Sequence, residues 1–196
     1  MKEIYFMRHA KTQENTEHVV IGQNDPPLSE EGRKEIQFIK SIVVQPDVVF
    51  SSDLRRASET ARLLFPNHEI TLLPHLRERH FGELQGKPKN ALTKAGMSRE
   101  AMYRLGGEEA ILRVYGAEPL SSLEARAEQV LGLIKKADVE RIVVVSHGTF
   151  INCLMLHLLS EPNIVQSLGN LNYHQITLDS RGNVIAAKLN QEWSCH

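Results

Sequence analysis

Ile142-Val143-Val144-Val145-Ser146-His147-Gly148 carries the strongest strand signal in the chain. Four consecutive apolar, β-branched residues suit a strand covered on both faces, as in a parallel sheet packed between helices. The stretch after it, Phe150 to Leu159, is apolar on most sides and predicts a deeply packed helix. The same alternation runs upstream. Ile4-Tyr5-Phe6-Met7 and Val48-Val49-Phe50 read as short buried strands, and Ile70-Thr71-Leu72-Leu73 as another, stopped by Pro74. Between them, Ser29 can cap a helix whose first turn holds Glu30 and Glu31 and whose apolar stripe is Ile36, Ile39 and Ile42. Leu54, Ala57, Ala61 and Leu64 mark the next helix at 3.6-residue spacing. Ser121-Ser122-Leu123-Glu124 offers a capping box for a helix with Leu123, Ala127, Val130, Leu131 and Ile134 on one face. Residues 173–190 read as a β-hairpin turning at Asp179-Ser180-Arg181-Gly182-Asn183. Strands alternating with helices predict an α/β fold, a three-layer α/β/α sandwich around a mostly parallel sheet.

Composition bounds the rest. The 196 residues are 41% hydrophobic and 24% charged, an ordinary globular balance that excludes disorder as the main state. The length fits a single domain spanning 1–196. A net charge of -1 gives no general pull toward nucleic acid or an anionic membrane, so neither is expected as a partner. No apolar run reaches the ~18 residues of a membrane span. The start, Met1-Lys2-Glu3-Ile4, lacks the apolar core of a signal peptide. Cys153 and Cys195 stand in no metal or redox spacing, and a cytoplasmic location is the default expectation. Residues 86–120 differ from their surroundings. They are rich in Gly and Pro, and hold Lys87, Lys89, Lys94, Arg99, Arg104 and Arg113 against Glu100, Glu108, Glu109 and Glu118, a net +2. This excursion is expected to hold one or two helices and to act as a lid that sets specificity.

Three strands run into charge. The first leads to Arg8-His9, the second through Ser51-Ser52-Asp53 to Leu54-Arg55-Arg56, and the third to Ser146-His147-Gly148. Ligands of open parallel sheets sit beyond the carboxyl ends of the strands. Two arginines in the first turn of a helix oppose its dipole, at ~0.3–1 kcal/mol each when exposed. The missing negative charge is best supplied by a ligand, and phosphate matches guanidinium forks. Each feature alone has a plain structural reading: a surface pair, a solvated helix face, a hydrogen-bonded core histidine. Their coincidence at three strand ends points to a phosphate site. There a neutral imidazole can attack phosphorus, and a carboxylic acid can protonate the leaving group. Leu76 to Glu83 offers Glu78 and Glu83, and spacing alone does not choose between them.

Arg8-His9-Ala10 resembles the Arg-His-Gly signature of the histidine phosphatase superfamily, the phosphoglycerate mutase-like proteins. Further stretches agree in the family's order. Pro27-Leu28-Ser29-Glu30-Glu31-Gly32 is similar to its Pro-Leu-(Thr/Ser)-x-x-Gly helix start. Leu54-Arg55-Arg56-Ala57 followed by Glu59-Thr60-Ala61 is similar to its second arginine motif. Leu76 to Gly86 resembles its Leu-x-Glu-x-x-x-Gly-x-x-x-Gly segment. Gly116-Ala117-Glu118 is close to its Gly-Glu-Ser stretch, and Ser146-His147-Gly148 to its second histidine motif.

The resemblance implies a phosphoglycerate mutase-like fold, with His9 as the phosphorylated nucleophile. Arg8, Arg56 and His147 would bind the phosphoryl oxygens, and Glu78 would be the proton donor. Asn15 matches a phosphate-contacting asparagine. Position in the chain, apart from the resemblance, adds Gln23 in the loop after the nucleophile and His80 at the pocket rim to the expected substrate-binding set, with Gly148 of the second histidine motif and Lys11, which is expected near the pocket mouth where it would favour a substrate with a second anionic group. No metal or cofactor is implied. Family mutases carry a longer insertion before the second histidine, with an adjacent Arg-Arg pair that holds the substrate carboxylate. No such pair occurs in residues 87–120. The expectation is therefore a metal-independent phosphatase acting on a small phosphorylated metabolite. A mutase is the alternative, and a non-catalytic phosphate-binding module the weaker one.

Overall fold

Side-chain alternation along the central strands decides the layers. In the computed structural model, which describes residues 1–97, 109–159 and 167–194, strand β1 spans Lys2–Arg8 and β4 spans Arg141–Ser146. Ile4 and Phe6, with Ile142 and Val144, enter one apolar cluster; Met7, Val143 and Val145 enter another on the opposite face. Both clusters are buried, which is why the strand sequences read as unbroken apolar runs. The first is closed by α6 (Leu120–Lys136) and α7 (Gly148–Leu159). The second is closed by α2 (Glu30–Ile39) and α3 (Arg55–Leu64), which follow the single turn α1 (Gln13–Thr16).

With β2 (Val48–Ser51), β3 (Ile70–Leu72), β5 (Tyr173–Leu178) and β6 (Val184–Gln191), the sheet has the order β3-β2-β4-β1-β5-β6. The first three pairings are parallel; the β5–β6 hairpin joins antiparallel at β1. The fold is thus the expected α/β sandwich around a mostly parallel sheet.

Local signals acted largely as expected. Ser29 Oγ accepts from Gly32 N at 3.0 Å and starts α2. The helix ends at Ile39, so Ile42 lies beyond it and packs on the second cluster from outside. The expected capping box at Ser121 does not form. The helix α6 begins at Leu120, after Pro119, whose ring holds φ near the helical value at -58°. Ser121 and Ser122 are already inside the helix, and Ser122 Oγ donates to Glu118 Oε1.

Among the described residues, the excursion holds two short helices, α4 (Asn90–Lys94) and α5 (Glu109–Val114), over a satellite core of Val20, Phe81, Leu84, Leu92, Met97, Leu112 and Ala117. Arg79, 1% exposed, ties this region down by pairing with Glu109 and donating to the Glu118 carbonyl. Arg99, Glu100, Arg104 and Glu108 lie outside the described residues, as does Cys195.

Candidate active site

Strand register builds the site. Arg8 pairs with Ser146 across the parallel β1–β4 ladder, so His9 and His147 leave adjacent strand ends side by side. Their ring centroids are 5.1 Å apart. Ser51 pairs with Val145 on the other side of β4, which brings the turn into α3, and with it Arg56, to the same edge. The turn Pro74–Leu76 leads to Glu78, and Ser146 Oγ donates to the Leu76 carbonyl at 2.7 Å, holding that segment against β4.

The His9 imidazole has a defined hydrogen-bond pattern. Nδ1 lies 2.7 Å from the Ala10 carbonyl, and Nε2 lies 3.2 Å from Arg56 Nε. A carbonyl can only accept and a guanidinium can only donate, so the proton is assigned to Nδ1 and the lone pair to Nε2. Burial, and then the charges of Arg56 and Arg8, hold the His9 pKa well below the ordinary histidine value. A neutral ring with Nε2 free of protons is the nucleophilic form. His147 is fully buried, with no protein partner at either ring nitrogen among the described residues. Burial and then Arg56 likewise lower its pKa.

Arg56 is anchored by two backbone carbonyls, Nη1 to Asn24 at 2.8 Å and Nη2 to Gly22 at 2.7 Å. Burial lowers its pKa to about 10, still charged at neutral pH. Arg8 Nη1 donates to the Leu168 carbonyl at 2.6 Å, while its buried Nε has no protein partner. Glu78 sits at the positive end of α7. Its Oε2 accepts from Thr149 N at 3.1 Å, and its Oε1 from Phe150 N at 3.0 Å and Arg79 N at 2.9 Å. Glu83, the other carboxylate the sequence offered, is exposed on the turn Gly82–Leu84.

Arg8, His9, Asn15, Arg56, Glu78 and Gly148 line one cleft of about 250 Å³, together with His18, Thr149 and Asn152. Its remaining wall is mostly apolar: Val19, Val20, Ile21, Phe81, Leu92 and Leu168. Four expected residues do not line it: His147, fully buried beside His9, and three of the binding residues. Lys11 turns away and pairs with Glu31 and Glu35 of α2, both at 2.7 Å, because that helix presents two acids beside it. The Gln23 side chain donates to the Glu78 carbonyl at 3.0 Å, bracing that segment from behind. His80 Nδ1 accepts from Gly82 N at 3.0 Å and shapes its own turn.

The anion at the start of α3 also differs from expectation. Asp25 Oδ1 accepts from Arg55 N at 2.5 Å, so a carboxylate of this chain also meets that helix end. Arg55 is exposed; only Arg56 enters the cleft. Sequence reasoning counted Lys89 only in the charge of the excursion, yet it lines the cleft mouth. It also missed Thr60, which accepts from Ala10 N at 3.0 Å and donates to the Arg56 carbonyl at 2.7 Å, and Asn170, which donates to the His9 carbonyl at 2.9 Å.

The family model of the histidine phosphatase superfamily (branch 1) matches residues 4–190. The chain belongs to this superfamily. Among curated relatives, "Probable phosphoglycerate mutase GpmB" of Enterobacter sp. (strain 638) is 29% identical over 167 residues, covering 83% of this chain and 77% of the relative. Bacillus stearothermophilus YhfR superposes with a TM-score of 0.82 at 22% identity, covering 98% of both chains. A phosphoglycerate mutase from Bacillus anthracis str. Sterne gives 0.82 at 24% identity, covering 96% of this chain and 92% of that one. At such identities the two structures establish a shared fold. As a histidine phosphatase superfamily member, the chain puts its two motif histidines at neighbouring strand ends because β1 and β4 pair in parallel and in register.

Proposed function

We propose that the protein is a phosphatase that hydrolyses a small phosphomonoester through a phosphohistidine on His9. The observation that carries this reading is the hydrogen bond from Arg56 Nε to Nε2 of the buried His9 imidazole, with the charge of Arg8 close by. The Nε2 lone pair attacks phosphorus as the ester P–O bond breaks. Arg56 Nε, which occupies Nε2 in the free enzyme, passes to a phosphoryl oxygen, and Arg8 and His147 serve the others. Glu78, as the carboxylic acid, gives its proton to the leaving alkoxide. As carboxylate it then takes a proton from the water that attacks the phosphohistidine, which releases inorganic phosphate and restores His9.

The cleft wall supports hydrolysis over transfer. Beyond Arg8 and Arg56, Lys89 is the one Lys or Arg on that wall among the described residues, and much of the rest is apolar. A mutase must also seat both a second phosphate and a carboxylate during transfer, and one lysine meets only one of them. The leaving group that suits this wall has an apolar body, with an acidic group reaching Lys89.

The mutase reading is favoured by the name of the 29%-identical relative. One experiment separates the two: incubation with 3-phosphoglycerate and trace 2,3-bisphosphoglycerate, following isomerisation and free phosphate together. Phosphate release that outruns isomerisation is expected, and the reverse order overturns the assignment. Acid-labile radiolabel lost in His9→Ala tests the intermediate itself, and absence of label on the wild type counts against it.

A further inference from the structure

We propose that Asn170 is a positioning residue, whose single side-chain amide fixes the nucleophile's backbone and turns the NH2 group of Asn15 into the cleft. The inference rests on the reading of His9 as nucleophile.

Asn170 Nδ2 donates twice, to the His9 carbonyl at 2.9 Å and to Asn15 Oδ1 at 3.3 Å. Asn15 Oδ1 also accepts from Thr12 N at 3.1 Å. Two donors therefore converge on the same oxygen. An amide flip would aim the Asn15 NH2 at both of them and leave all three hydrogen-bonding groups mismatched. The Asn15 carboxamide is thus locked with Oδ1 inward. Its Nδ2 has no protein partner among the described residues, and Asn15 lines the cleft. That NH2 is a donor reserved for a phosphoryl oxygen.

The loop that carries Asn170 is itself fastened to the end of β1. Leu171 N donates to the Arg8 carbonyl at 3.0 Å, with Leu171 at a φ of 62°, and Arg8 N donates to the Asn172 carbonyl at 3.1 Å. Arg8 Nη1 reaches Leu168 in the same loop. One loop thereby sets the Arg8 side chain, the His9 backbone and the Asn15 amide together. A donor placed in advance costs no reorganisation when charge builds on the phosphoryl oxygens.

A double-mutant cycle tests this with p-nitrophenyl phosphate as substrate and inorganic phosphate as inhibitor. Asn15→Ala is expected to lower kcat/KM about tenfold and to weaken phosphate inhibition. Asn170→Ala should do at least as much. If Asn170 acts through Asn15, the double variant is no worse than Asn170→Ala alone. Effects that multiply to about a hundredfold, or an unchanged kcat/KM in Asn170→Ala, overturn the proposal.

Asn170→Asp guards against simple misfolding, since it keeps the shape and removes the donors. It should be impaired while its thermal midpoint stays near that of the wild type. Full activity in it also overturns the proposal. The control separates the two levels: turnover in His9→Ala sinks both readings, whereas an inactive His9→Ala with a multiplicative cycle sinks this one alone.

Discussion

Arg56 Nε donates to His9 Nε2 at 3.2 Å, so the cation that aims the imidazole is also one that keeps it uncharged. A protonated His9 would be buried facing two guanidinium groups. Activity should therefore persist into acid, with the low-pH limb of kcat/KM below the ordinary histidine pKa of about 6.5. Removing the Arg56 charge removes a penalty on the imidazolium, so Arg56→Gln should move that limb to higher pH. It should also lower kcat roughly 10²–10³-fold, as loss of a transition-state donor does. Wild-type and variant pH profiles on one substrate check this, because the substrate's own ionisation cancels in the comparison. A limb that stays in place would exclude Arg56 as its cause.

A second histidine couples pH to stability instead of turnover. His174 is buried on β5, and burial lowers its pKa to about 4. Its Nδ1 accepts from Asn190 N at 2.9 Å, which holds the end of the hairpin. The unfolded chain takes up this proton near pH 6.5 and the folded chain only near pH 4. The contribution is whole above pH 6.5 and is lost as pH falls toward 4, on the order of 3 kcal/mol. His9 and His147 act in the same direction. His174→Asn keeps an acceptor near the Nδ1 position and does not titrate. Denaturation midpoints between about pH 7 and pH 4 should fall less steeply in this variant than in the wild type.

The layers were legible in the sequence because they depend on local periodicity. Val143 to Val145 had to be covered on both faces, and Ser29 had to cap. The motif histidines could be placed because a parallel sheet brings its carboxyl ends to one edge. What escaped depends on segments that meet only through topology. Asp25 reaches the start of α3 from a loop 30 positions upstream of Arg55, and no periodicity announces that. Asn170 touches His9 across 161 positions of chain. The expected capping box is absent because the helix already starts at Leu120, after Pro119, which leaves Ser121 inside it. Lys11 was expected near the pocket mouth as an added positive charge for a second anionic group. Two acids on one helix face drew it elsewhere.

Glu78 has two duties that a single variant can separate. Its carboxylate accepts three backbone N–H groups, two of them from the first turn of α7. A carboxamide offers only one oxygen to those donors, so Glu78→Gln should cost about 1–3 kcal/mol of stability. It also cannot supply the proton for the leaving alkoxide. Alkyl phosphates should lose about 10²–10⁴-fold in kcat. p-Nitrophenyl phosphate, whose leaving group departs as a stable anion, should lose far less. A plot of rate against leaving-group pKa should therefore steepen in the variant. Equal losses across the series would remove Glu78 from the acid role.

Lys89 and Lys11 make opposite predictions for specificity. Lys89 stands at the cleft mouth with no ion-pair partner among the described residues, and its backbone N–H is fixed to the His18 carbonyl at 2.7 Å. The adjoining strand-like contacts, Val20 N to Lys87 O and Gly86 N to Val20 O, both at 2.8 Å, hold that segment against the loop after the nucleophile. Its pKa is lowered by its surroundings and by Arg8, a cost to the ammonium that an anionic group on the substrate would offset. Lys89→Gln should therefore reduce kcat/KM for a phosphomonoester bearing a second acidic group by about tenfold more than for a neutral one. Lys11→Ala should leave that ratio unchanged, since its charge is spent on Glu31 and Glu35, and its stability cost should stay within about 1 kcal/mol for a surface pair. Matched alcohol and acid phosphates assayed with both variants decide the matter. A shift of the ratio by Lys11→Ala and not by Lys89→Gln would mean that the mouth of the cleft is read by the other lysine, and that α2 releases it when substrate binds.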